Sequence, residues 1–86
     1  GRPPKEPFDP YKEIPENSHR SALNTAFEDG NISGYNGYLE RLKESYGRLG
    51  IKLGYNKMVE LAKFLCNKRM VVKEGKEYKY NRDFHY

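Results

Sequence analysis

Between residues 35 and 49 the apolar side chains Tyr35, Tyr38, Leu39, Leu42, Tyr46 and Leu49 recur at helical spacing, and at 100° per residue they fall within an arc of about 100°. A stripe that narrow has one face to cover and one to leave wet. It therefore dictates a helix lying on a core whose other walls come from elsewhere in the chain. Gly50 supplies the stop.

Those walls can be traced on both sides. Asn17 and Ser18 are good N-cap types, and Ala22, Leu23, Ala26 and Phe27 form a second stripe, so a helix is expected over about 18–29 with Gly30 closing it. Ile32, in "NISG", is a lone apolar residue among turn formers and reads as a single-bridge strand. After a connection over 50–55, Asn56 is a candidate N-cap for a helix reaching about Lys68. On that helix Met58, Ala62, Leu65 and Cys66, flanked by Val59 and Leu61, face the core. Asn56, Glu60, Lys63 and Asn67 share the opposite arc, bordered by Lys57 and Lys68 beside Phe64. The period then drops from 3.6 to about 2, and Val71, Val72, Tyr78 and Tyr80 around Glu74-Gly75 predict a β-hairpin.

The expected fold class is mainly α with a small β-hairpin: three helices, then a two-stranded hairpin, with Leu39, Leu42, Tyr46, Ala62 and Leu65 at the centre of the core. Tyr35, Tyr38 and Tyr46 lie on the apolar stripe and are expected inside, with wet hydroxyls. Tyr78, Tyr80 and Tyr86 are open to two uses, stacking on nucleobases or packing the hairpin on the last helix.

All five prolines, Pro3, Pro4, Pro7, Pro10 and Pro15, fall in the first fifteen residues. Each fixes φ and disfavours helix for the residue before it, so residues 1–16 are expected to be an extended arm. Phe8, Tyr11 and Ile14 recur every third residue, as on one edge of a polyproline II helix. Such an edge could strap the arm to the globular body, residues 17–86. The alternative is a disordered linker with incidental aromatics.

Eighty-six residues make one domain, and with 36% apolar residues its core is small. Cys66 has no second cysteine to pair with, and it falls among apolar positions, which suits a buried thiol and a reducing, intracellular compartment: nucleus in a eukaryote, cytoplasm otherwise. The longest aliphatic run, Met70-Val71-Val72, is far short of a membrane span, so a soluble protein is expected. If the abrupt start at Gly1 is a cut end, targeting signals of a parent chain lie outside it.

Catalysis finds no foothold. His19 sits at a helix start and His85 at the penultimate position, neither with Cys, Asp or Glu at ligand-like spacing. There is no phosphate-cradling glycine loop and no nucleophile with a paired base. No enzyme activity, cofactor or metal is expected.

Charge points elsewhere. Residues 1–43 hold six basic against seven acidic side chains, whereas residues 44–86 hold ten against five, a local balance of +5. An anionic partner near the C-terminal half is therefore favoured, and nucleic acid is the commonest such partner for a small basic domain. A helix that reads the major groove needs exposed amides and cations, because Asn pairs adenine edges and Lys or Arg pairs guanine edges. The helix over 56–68 offers Asn56, Lys57, Lys63, Asn67 and Lys68, although Glu60 in their midst would repel phosphate. An ordinary solvated helix face is the competing explanation. Directly after it, Lys73, Lys76 and Lys79 line the hairpin, where they could meet phosphates next to those the helix touches.

The segments "SALNTAFEDGNIS", "GYLERLKESYGRLG" and "NKMVELAKFLCNKRMVVKEGKEYKY" together resemble the helix, short strand, helix, helix, hairpin order of winged-helix domains over roughly residues 18–81. The six-residue connection into the last helix and "KRMVVKEG" are similar to the globular domain of linker histones. The resemblance implies that residues 56–68 are the recognition helix, residues 73–79 the wing, and double-stranded DNA the partner. Winged helices also serve as protein-contact modules, so a protein partner is the alternative, and RNA would answer to the same charge. "GRPPK" resembles the Gly-Arg-Pro core of an AT-hook, which would send Arg2 into the minor groove of A·T-rich DNA; a coincidence of five residues is the other explanation.

Overall fold

The computed structural model describes residues 9–84, so Arg2 and the rest of "GRPPK", Phe8, His85 and Tyr86 lie outside the described residues. In chain order the elements are α1 (Pro10–Glu13), α2 (Glu16–Ala26), β1 (Ile32–Ser33), α3 (Tyr35–Arg48), α4 (Tyr55–Asn67), β2 (Val71–Glu74) and β3 (Glu77–Tyr80). The chain is mainly α, with three helices of more than two turns and a small antiparallel sheet in the order β1-β3-β2.

Residues 9–16, the described part of the arm expected over 1–16, are not all extended. Residues 10–13 form one helical turn, because Pro10 at the first helical position brings a helical φ and lacks only an N–H that would be orphaned there anyway. Pro15 disfavours helix at Ile14, so the turn ends at Glu13. Backbone bonds from Lys12 and Glu13 to the Asp9 carbonyl, and from the Asp9 N–H to Glu13 Oε2 at 3.0 Å, close it. Ile14 is buried, which ties this segment to the body. Pro15 is itself the N-cap of α2, in place of Asn17 or Ser18, and its carbonyl accepts from Ser18 and His19, so α2 starts at Glu16, ahead of the expected 18, and ends at Ala26, before the expected 29.

The middle of the apolar stripe behaves as expected. Tyr38, Leu42 and Tyr46 of α3 are fully enclosed, Leu39 nearly so, and Met58, Leu61, Ala62 and Leu65 of α4 complete the centre with Leu23 of α2. The ends of the stripe do not follow. Tyr35 is 41% and Leu49 43% exposed, because both overhang the stretch that neighbouring elements cover. Cys66 and Val59 are half-buried, on the flank of α4 rather than at its core face.

Two matching C-terminal locks define the ends of α3 and α4. At the first, the Gly50 N–H donates to Gly47 and the Ile51 N–H to Tyr46, the paired bonds of a Schellman closure. At the second, Arg69 donates to Cys66 and Met70 to Leu65, in the same pattern. Gly50 adopts φ 82 freely, whereas Arg69 is forced to φ 64, a left-handed backbone that costs an L-residue about 1–2 kcal/mol. Asn81 secures the corner, its side-chain amide donating to the Arg69 carbonyl at 2.9 Å and its N–H to that of Met70 at 2.8 Å.

The hairpin pairs Val71 with Tyr80, Val72 with Lys79, Lys73 with Tyr78 and Glu74 with Glu77. Its two-residue loop is Gly75-Lys76, one residue later than the Glu74-Gly75 expected. Gly75 at φ 63 supplies the positive φ that a II′ turn requires at its first central position. The expected single bridge at Ile32 is a two-residue strand, Ile32 opposite Tyr78 and Ser33 opposite Glu77. The Gly34 N–H extends the tie by donating to the Lys76 carbonyl at 2.8 Å.

Candidate nucleic-acid interface

Alternation along the hairpin sorts its cations onto two faces. Paired residues share a face, so Val71, Lys73, Tyr78 and Tyr80 point one way and Val72, Glu74, Glu77 and Lys79 the other. The first face turns toward α3 and α4. There the Tyr78 ring stacks on Tyr38 with centroids 4.2 Å apart and planes 16° from parallel, and Lys73 Nζ stands over Tyr78, 5.8 Å from its centroid. Tyr38 in turn donates its buried hydroxyl to the Ala62 carbonyl at 3.2 Å and meets Cys66 Sγ at 3.9 Å. Burial pushes the Tyr38 phenol far above the ordinary tyrosine range, so it stays a neutral donor.

Those contacts set the distance between α4 and the hairpin. They leave an open cleft of about 290 Å³ lined by Tyr35, Tyr38, Ala62, Lys63, Cys66, Asn67, Lys73 and Tyr78. Three of the expected site residues meet here: Lys63 and Asn67 from α4, and Lys73 from β2. Asn56 and Glu60 lie on the same exposed arc of α4 toward its N-terminus. Asn56 is not the N-cap. Gly54 holds that position without a side-chain cap bond, and Tyr55 is the first helical residue.

The remaining candidates are elsewhere. Lys57 and Lys68 are exposed about a third of a turn round α4, on the side of Phe64, whose ring meets His19 of α2 at 5.7 Å. Lys76 is exposed at the hairpin tip. Lys79 is on the outer face and bonded to Glu74 at 2.8 Å, a diagonal cross-strand pair that neutralises it. That hydrogen bond, and then the Glu74 charge, raise the Lys79 ammonium above its usual value. Arg2 lies outside the described residues.

The tyrosines sort as well. Tyr78 packs, as does Tyr80, which meets Phe27 at 6.1 Å and carries the Arg82 guanidinium over its ring at 5.2 Å. Tyr35, expected in the core, instead stands at the cleft. Partial burial first, then the neighbouring Tyr55, Tyr78 and Cys66, raise its phenol above the usual value and keep it a neutral hydrogen-bond donor. Its position at the first helical turn, one residue after a turn-forming glycine, was the available signal that a stripe residue could overhang.

His19 also proves unlike its sequence setting. It is 2% exposed, with Nδ1 2.7 Å from the Tyr46 hydroxyl and Nε2 3.1 Å from the Pro10 carbonyl. A carbonyl only accepts, so Nε2 carries the proton and Nδ1 accepts from Tyr46. The imidazole is thus a neutral clasp holding α1 to α2 and α3, and burial lowers its pKa against a smaller opposing effect of the Pro10 bond.

Among the described residues no group of three or more His, Cys, Asp or Glu side chains could hold a metal ion, and no helix is long and apolar enough to cross a membrane. No protein-family model, curated protein or solved structure matches this chain.

Proposed function

We propose that this chain is a double-stranded DNA-binding domain of winged-helix type, with α4 as the helix offered to the major groove and the β2–β3 hairpin as the wing. The observation that carries this reading is the shared cleft, in which an amide and a cation of α4, Asn67 and Lys63, stand with Lys73 of the hairpin. Cations bind phosphate without regard to sequence, and the amides Asn56 and Asn67 on the exposed arc can pair with base edges. The local balance of +5 over residues 44–86 supports an anionic partner, and the free thiol of Cys66 is compatible with an intracellular site of action.

Protein contact is the second reading, favoured by one observation. Tyr55 at the start of α4 is 72% exposed and borders a cleft with Leu39, Leu53 and Met58 on the α3–α4 side. Titration against random duplex DNA at about 50 mM salt separates the two, since non-specific binding rests on phosphate contacts. Duplex binding that weakens steeply with salt is expected. Absence of binding at that salt would pass the function to the protein-contact surface.

A further inference from the structure

The cleft between α4 and the hairpin is richer than phosphate contact requires. Lys63 and Lys73 satisfy anions, yet beside them stand the Asn67 amide and the half-open ring of Tyr35, over a floor of Ala62 and Tyr78. The backbone just before Tyr35 is tied to the hairpin, since the Gly34 N–H donates to the Lys76 carbonyl at the hairpin tip. Cations, an amide and an open aromatic ring together complement a whole nucleotide: phosphate on the lysines, base edge on the amide, base face on the ring. Bases inside a duplex keep both faces stacked on their neighbours and have none to offer. At about 290 Å³ the cleft is at the small end of ligand pockets.

We infer that this cleft takes a single unpaired, extrahelical nucleotide of otherwise double-stranded DNA, with Tyr35 stacking on its base. The inference rests on the duplex-binding reading above and adds a structural preference to it.

The test is a fluorescence-anisotropy titration of the 86-residue chain against two duplexes identical except for one extrahelical thymidine. The bulged duplex should bind about 5- to 150-fold more tightly, the range that stacking one base on an aromatic side chain provides. Tyr35→Leu, which keeps an apolar side chain but no ring face, should bring that ratio close to one. With 2-aminopurine as the extrahelical base, its fluorescence should quench on binding to the natural chain and not to Tyr35→Leu, a readout that does not depend on affinity. Equal binding of the two duplexes, or a ratio that survives Tyr35→Leu, would overturn the inference and leave duplex binding standing. Failure of both duplexes to bind would remove the duplex reading itself and the inference with it.

Discussion

The placement of the lysines makes the salt dependence of DNA binding a quantitative test. Six cations line α4 and the hairpin in sequence, but Lys57 and Lys68 face the Phe64 flank and Lys79 is held by Glu74 at 2.8 Å. Lys63 and Lys73 at the cleft and Lys76 at the tip remain to meet one stretch of phosphates. Three phosphate contacts give a slope of log affinity against log salt of about −2.7, or a loss of about 40-fold between 50 and 200 mM salt. Lys73→Met, which keeps most of the stem lying over Tyr78, should flatten the slope to about −1.8 and the loss to about 12-fold. The paired replacement Glu74→Gln with Lys79→Met conserves net charge and should leave the slope alone. Anisotropy titrations on one random duplex at four or five salt concentrations measure all three. An unchanged slope in Lys73→Met, or an equal flattening in the Glu74/Lys79 pair, would refute the assignment of faces.

Three further outcomes follow from the fold. Leu42 is fully enclosed at the centre of α3, so Leu42→Ala should cost about 2–5 kcal/mol, read as a lower urea midpoint; unchanged unfolding would show that α3 is turned the wrong way. Because burial holds the His19 imidazole below the ordinary histidine value of 6.5, the unfolded chain binds the proton first as pH falls. The stability from its neutral clasp is therefore full above about 6.5 and lost on acidification towards the lower folded value. Thermal melts should show that decline before the carboxylates titrate, and His19→Gln should flatten it. Arg69→Gly should relieve the left-handed strain at φ 64 by more than glycine costs in unfolded-chain entropy, a net gain of about 0.5–1 kcal/mol. That corresponds to a melting temperature higher by about 2–8 °C, and a lower one would mean that Arg69 makes contacts worth more than the strain.

Periodicity alone determined most of the architecture. A helix of given sequence has only one way to present Leu39, Leu42 and Tyr46 together, or to keep Met58, Ala62 and Leu65 apart from Lys63 and Asn67, so both core and wet faces were legible. The hairpin was legible because Gly75 between β-branched and aromatic runs admits few alternatives. Tertiary structure decided what depends on partners distant in sequence. Helical spacing places Tyr35 and Leu49 on the stripe but says nothing of where the covering elements stop, and both came out exposed. Lys73 and Lys79 look equivalent in "KEGKEYK" until strand pairing puts one over Tyr78 and gives the other to Glu74. His19 looked idle because its two partners lie on other elements, the Tyr46 hydroxyl 27 residues away on α3 and the Pro10 carbonyl on α1. Local pattern is set by the geometry of one segment, whereas burial, charge pairing and protonation depend on how several segments dock.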